Sequence, residues 1–196
     1  MPRGDITNKL IHFTSGASPD DAFARLRNII RERRLIAGNR MIRGSYMCVC
    51  FTEAPLAAVA DGFVSCFPYA RYAPFGLMFD KTMVFARGGR PVIYQPEAEF
   101  NGLPEVIRWR HVRYEPIGED MIDFTWEREW RIQCSELQFT PDDAVIVLPN
   151  GEWQSLLLEM HDWEQDTCVE AYSTVVDREI AEQLREEFRW RIVTLS

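Results

Sequence analysis

Glu127 and Glu129 are one residue apart in the run Trp126-Glu127-Arg128-Glu129-Trp130-Arg131-Ile132. Alternate residues of a β-strand share a face, so the spacing predicts both carboxylates on one side and Arg128, Trp130 and Ile132 on the other. Like charges so placed repel. A fold that keeps them together either uses them or pairs them with cations, as a solvated edge strand with cross-strand arginine partners would. A second compact signature, His12-Phe13-Thr14, lies far away in sequence. There a strand would end with His12 followed by Thr14. A neutral imidazole so placed is either a satisfied structural group or a hydrogen-bond partner for a sugar hydroxyl or an amide. Tyr69 and Tyr72 precede an apolar strand, where each serves as core or as a stacking surface for a flat ring.

Other chemistries have less support. The chain contains no GxxxxGK[ST], GxGxxG or GxSxG pattern, so a phosphate loop and a nucleophile elbow are not expected. Gly88-Gly89 between Arg87 and Arg90 reads as a turn, with an anion site as the alternative. Asp80 and Lys81, taken with Glu127 and Glu129, can be arranged as the carboxylates and lysine of a metal-dependent nuclease. The cysteines Cys48, Cys50, Cys66, Cys134 and Cys168 show no framework spacing, and only three histidines accompany them. Reduced thiols and no metal are therefore expected.

These groups must be positioned by a chain of 196 residues, long enough for one domain with its own core. With 46% apolar and 12% aromatic residues it belongs to the globular class. A net charge of −8 argues against nonspecific nucleic-acid binding, which needs a basic excess. Arg25, Arg27, Arg31, Arg33 and Arg34 nevertheless cluster on one expected helix. They read as a solvated face with Glu32 and nearby acids as partners, or as a local steering patch for RNA or DNA. Neither a signal peptide nor a membrane-spanning apolar run is apparent, so a cytoplasmic protein without membrane contact is expected.

Strands are expected at 10–14, 47–52, 75–80, 91–94, around Glu127–Glu129, at 144–148 and at 190–193. Ser18-Pro19-Asp20-Asp21 starts a helix that runs to Arg34, with Phe23, Leu26, Ile29 and Ile30 on its apolar stripe. Further helices are expected at 57–67, 153–160 and 177–188, and a helical turn at 82–85. Residues 108–114 are compatible with helix or strand. Short strands mixed irregularly with helices indicate an α+β domain.

The order of three segments resembles a known family. Cys50-Phe51-Thr52-Glu53-Ala54-Pro55-Leu56, the stretch from Tyr69 to Lys81, and Glu127-Arg128-Glu129-Trp130-Arg131 follow His12-Phe13-Thr14 in the chain. Together they resemble the abortive-phage-resistance (AbiGi-type) domains within the DarT-like ADP-ribosyltransferase superfamily. The similarity covers residues 10–135, and leaves 136–196 as the completion of a single domain spanning 1–196 or a small appendage.

The resemblance implies a split, mostly antiparallel sheet of six to eight strands flanked by helices and clamping NAD⁺. His12 with Thr14 would hold the nicotinamide ribose, beside Phe51 and Thr52, and Tyr72 or Tyr69 would stack on nicotinamide. Glu129 would stabilise the oxocarbenium-like transition state, with Glu127 orienting an acceptor. The implied activity is ADP-ribosyl transfer to a protein or nucleic acid, or NAD⁺ hydrolysis, in phage defence or a toxin system with a possible partner protein. A non-catalytic binding module of the same fold, such as an antitoxin or sensor, is the alternative; it predicts Glu127 and Glu129 paired with arginines.

Overall fold

The computed structural model describes residues 7–56, 73–118 and 121–196. The first half contains β1 (Lys9–Phe13), α1 (Pro19–Glu32), β2 (Arg34–Ile36), β3 (Cys48–Thr52), β4 (Gly76–Asp80), α2 (Lys81–Ala86) and β5 (Arg90–Pro91). The second contains β6 (Ile93–Gln95), β7 (His111–Arg113), β8 (Glu129–Gln133), β9 (Glu136–Gln138), β10 (Ala144–Leu148), α3 (Gly151–Tyr172), α4 (Arg178–Glu182) and β11 (Arg191–Thr194). Seven strands form one sheet in the order β11-β10-β4-β1-β3-β8-β5. Every pairing in it is antiparallel except β10 with β11. The fold is α+β, with the mostly antiparallel sheet that the sequence predicts.

One face of the sheet carries the main core. Leu10, Val49, Phe51, Leu77, Phe79, Trp130 and Ile146 pack there against Phe23, Leu26 and Ile30 of α1 and Leu157 of α3. Helix α1 starts where its sequence says it must: the Ser18 hydroxyl accepts the Asp21 amide, Pro19 opens the first turn, and two acids lie at the positive end of the dipole. It ends at Glu32 rather than Arg34, because Arg33 takes a left-handed conformation with φ 54°. Arg33 and Arg34 therefore leave the helix, and the arginine cluster divides. Arg27 pairs with Glu164, Arg33 with Glu186 at 3.4 Å, and Arg34 with both Glu32 and Glu136 at 3.1 Å. Those pairs fit the solvated-face reading of the cluster.

Two other expectations change, and one left open is resolved. Helix α3 is 22 residues long, far beyond 153–160, because Asn150 caps its first turn and no breaker follows. The helix expected at 177–188 shrinks to Arg178–Glu182. Ile180 and Leu184 find no surface and stay exposed, and the chain straightens so that Phe188 can reach His161 and the core. Residues 108–114 divide: a 3₁₀ segment runs from Glu105 to Arg110 and β7 follows. The helix expected at 57–67 lies outside the described residues. None of the described helices is long and apolar enough to cross a membrane.

Candidate functional site

Strand β1 pairs with β4 over five residues but meets β3 at Ile11↔Thr52. The imidazole of His12 takes over part of the β1–β3 connection, with Nδ1 2.8 Å from the Cys50 carbonyl. Beside this junction is a small cavity of about 70 Å³. Among the described residues, its polar lining comes from His12, Thr52, Glu127 and Glu129, with Cys50 beside them. Ile11, Phe13 and Phe51 supply the apolar part. Three segments far apart in sequence thus meet at one place.

The two carboxylates do not reach it as the strand pattern predicts. Glu127 ends a 3₁₀ turn from Thr125, Arg128 adopts a left-handed conformation with φ 44°, and β8 begins only at Glu129. The pleat is broken between them, so period-2 alternation does not place this pair. Two hydrogen bonds to backbone carbonyls hold the break: Thr52 Oγ1 donates to the Glu127 carbonyl at 2.5 Å, and the Glu53 amide to the Arg128 carbonyl at 3.2 Å. Glu127 is 3% exposed and its side chain still lines the cavity.

Glu129 is held by Arg131, the residue two along the same strand. Nε donates to Oε1 at 2.8 Å and Nη2 to Oε2 at 3.1 Å, a two-point fork that matches guanidinium to carboxylate. The remaining nitrogen, Nη1, donates to the carbonyls of Trp109 and His111 at 2.9 and 3.0 Å. Arg131 is nearly inaccessible, and the Glu129 charge beside it raises its already high pKa against the cost of burial. Tyr94 completes the setting by accepting the Glu129 amide on its hydroxyl at 3.1 Å, and burial raises that phenol to about 12. Burial, with the nearby Glu129 charge, also raises the Cys50 thiol, and burial pushes Cys48 up to about 11. Both thiols stay protonated and unreactive at neutral pH.

His12 is neutral. Burial lowers its pKa, and the Cys50 carbonyl only partly opposes that. A carbonyl accepts and cannot donate, so Nδ1 carries the proton and Nε2 keeps its lone pair. The ring also meets Phe51 edge-on, at a centroid distance of 6.0 Å.

Of the other expected site residues, Thr14 is removed from the cavity. It is 4% exposed, and its hydroxyl lies 3.1 Å from the Ala22 and Phe75 carbonyls, tying β1 to α1 and β4. Its role there is structural. Tyr69 and Tyr72 lie outside the described residues. Asp80 pairs with Lys9 at 2.5 Å and Lys81 with Glu53, so the nuclease arrangement is not assembled. Among the described residues no group of three or more His, Cys, Asp or Glu side chains is placed to hold a metal ion. Gly88-Gly89 is a turn, and its flanking Arg90 binds the Phe85 and Gly89 carbonyls. Arg131, Cys50 and Tyr94 were missed. For Arg131 the signal was available, since it lies two residues from Glu129 on one strand.

A second, much larger cleft of about 880 Å³ opens between α1, α3 and residues 185–190. Its lining mixes both signs of charge, including the Arg27–Glu164 and Arg33–Glu186 pairs, and contains none of the expected site residues.

No family model, curated protein or solved structure matches the chain.

Proposed function

We propose that the chain binds the nicotinamide end of NAD⁺ in the cavity between His12 and Glu129 and cleaves the nicotinamide–ribose bond. One observation supports this reading above the rest: His12, Phe51, Thr52, Glu127 and Glu129 line a single cavity. In the reaction the bond between ribose C1′ and the pyridinium nitrogen breaks, and its electron pair returns to nicotinamide, which leaves neutral. The ribosyl cation left behind is captured by water or by an acceptor nucleophile, which releases a proton. Fixed carboxylates beside C1′ favour that developing charge, most strongly where water is excluded. His12 Nε2 is available to accept from a ribose hydroxyl. The cavity is well below the roughly 300–1,000 Å³ of sites that enclose whole ligands, so it takes one end of the dinucleotide and the remainder lies outside it. The proposed acceptor is a protein or nucleic acid, and the proposed setting, phage defence or a toxin system, rests on the family resemblance.

One observation favours a second reading, a binding module without turnover. The fork from Arg131 engages both oxygens of Glu129. A carboxylate so committed serves recognition and rigidity at the expense of chemistry.

Calorimetric titration with NAD⁺, followed by an assay for released nicotinamide, separates the two. Turnover by the wild type that falls at least about 100-fold in Glu129→Gln supports the enzyme, a loss in the range of one electrostatic stabiliser. Binding without release supports the module. Absence of NAD⁺ binding by the wild type excludes the enzyme and favours a module that recognises another partner.

A further inference from the structure

Arg90 and Arg110 are tied to the same stretch of backbone, at and just before β5. Arg90 Nη1 donates to the Phe85 and Gly89 carbonyls at 3.0 and 2.6 Å, and its guanidinium carbon lies 3.9 Å from the Phe85 ring centroid. Arg110 Nε donates to the Pro91 carbonyl at 2.9 Å. Both side chains are half-buried. Each anchor uses one part of a guanidinium and leaves a complete two-point fork. That fork is Nε with Nη2 on Arg90, and Nη1 with Nη2 on Arg110. Nearby in the chain, Arg87 and Arg113 are paired with Asp143 and Glu115. Among the described residues, Arg90 and Arg110 have no carboxylate partner.

Positive charge gathers here at a cost. Burial lowers the Arg110 pKa, and the Arg90 charge lowers it further. Arg90 is also directly opposite Arg131 of β8, whose own charge is matched by Glu129. Like charges that face each other across a strand pair are destabilising. The carbonyl bonds nevertheless keep both groups in place. A bound anion would relieve that repulsion.

We infer that Arg90 and Arg110 form a binding site for a phosphate dianion. Two forks ask for an acceptor with oxygens on more than one side. Tetrahedral phosphate has them, whereas a carboxylate is used up by a single fork. A dianion also offsets both charges. The Gly88 and Gly89 amides donate to the Phe85 and Val84 carbonyls, so the turn supplies shape and the arginines supply donors. The site is distinct from the cavity at His12, whose lining includes neither arginine, and it stands whether or not the proposed function does.

The test is a titration of the full chain with inorganic phosphate at low ionic strength, followed by phosphorus NMR. Thermal melts in phosphate and in acetate of equal ionic strength accompany it. Saturable binding is expected, with a higher melting temperature in phosphate than in acetate. Arg90→Lys and Arg110→Lys, with folds checked by circular dichroism, should each weaken binding at least about tenfold. The charge is kept in both, but the fork is lost. Arg31→Gln removes an exposed arginine bonded only to Asn28, and should change the affinity less than about twofold. Adenosine 5′-monophosphate binding more tightly than phosphate would identify a nucleotide as the source of the dianion, and equal binding the free ion. Four results overturn the inference: no saturable binding by the wild type, equal stabilisation by acetate, full affinity in either folded lysine variant, or an equal loss in Arg31→Gln. The comparison with acetate needs only the wild-type chain, so it decides even where a variant fails to fold.

Discussion

Arg131 and Glu129 form a buried pair, with side chains 4% and 11% exposed. Removing one partner of such a pair leaves an uncompensated charge, whereas removing both is far less harmful. Arg131→Met is therefore expected to cost about 3–5 kcal/mol, and Arg131→Met with Glu129→Met to recover much of that. Urea titrations of the two single variants and the double variant measure the coupling; strictly additive losses would show that the fork contributes no pairwise energy. His12 gives a pH prediction at the same scale. Its pKa is lower in the folded chain than the ordinary 6.5, so the unfolded chain binds the proton more readily. Its contribution to stability is complete above pH 6.5 and is lost as pH falls from there through the depressed folded value. The slope of melting temperature against pH below 6.5 should flatten in His12→Gln, and an unchanged slope would assign it to other groups.

The elements that carry these residues depend on close backbone approach and on capping. Gly76 opens β4 opposite Phe13 of β1, and a Cβ built there would lie 2.5 Å from the His12 carbonyl oxygen. Gly76→Ala must push the strands apart at the His12 end, costing roughly 1–3 kcal/mol as overpacking does. The measurement is a melt combined with the His12 ring shifts, which should move even without ligand. Asn150 accepts the Glu152 and Trp153 amides at 3.1 and 3.2 Å, and Asn150→Ala should destabilise by about 1 kcal/mol in a urea titration. Elements of this kind were legible in the sequence. The Ser18-Pro19 start, the apolar stripe of α1 and the β-branched run at 144–148 each state a local preference that tertiary packing does not oppose. The approach of Glu127 to Glu129 was legible only in outcome. A left-handed Arg128 has no signature in residue type, since that conformation ordinarily favours glycine or asparagine, and bonds from the Thr52 hydroxyl and the Glu53 amide hold it. The missed partner, Arg131, follows from the same alternation that grouped the carboxylates. The cation that pairs with Glu129 comes from its own strand and not from a neighbouring one. The shortened helix at Arg178–Glu182 shows the reverse failure, a periodic pattern with no core to bury it.

At the scale of the whole molecule, the C-terminal third is continuous with the part that carries the cavity. Strand β10 pairs with β4 on one side and β11 on the other, and so lies inside the sheet. Ile146, Leu148 and Leu157 belong to the same core as Leu10, Phe51 and Trp130, and Trp153 packs on Phe23 and Phe75 at centroid distances of 4.9 and 4.8 Å. A fragment ending at residue 135 would expose the hydrogen-bonding edge of β4 and the apolar face beneath α3. The loss of three buried aliphatic side chains alone is worth several kcal/mol, roughly 1.5–3 kcal/mol each, comparable with the whole stability of an ordinary domain. Strand β4 is also the partner that holds β1 over its full length, so the consequences reach His12. The fragment 1–135 is therefore expected to be unfolded and unable to bind any cavity ligand, whereas the full chain should unfold in one transition by circular dichroism and tryptophan fluorescence alike. A folded, ligand-competent fragment, or two separated transitions in the full chain, would instead make residues 136–196 an independent unit, and the β4–β10 pairing would then be dispensable to the cavity.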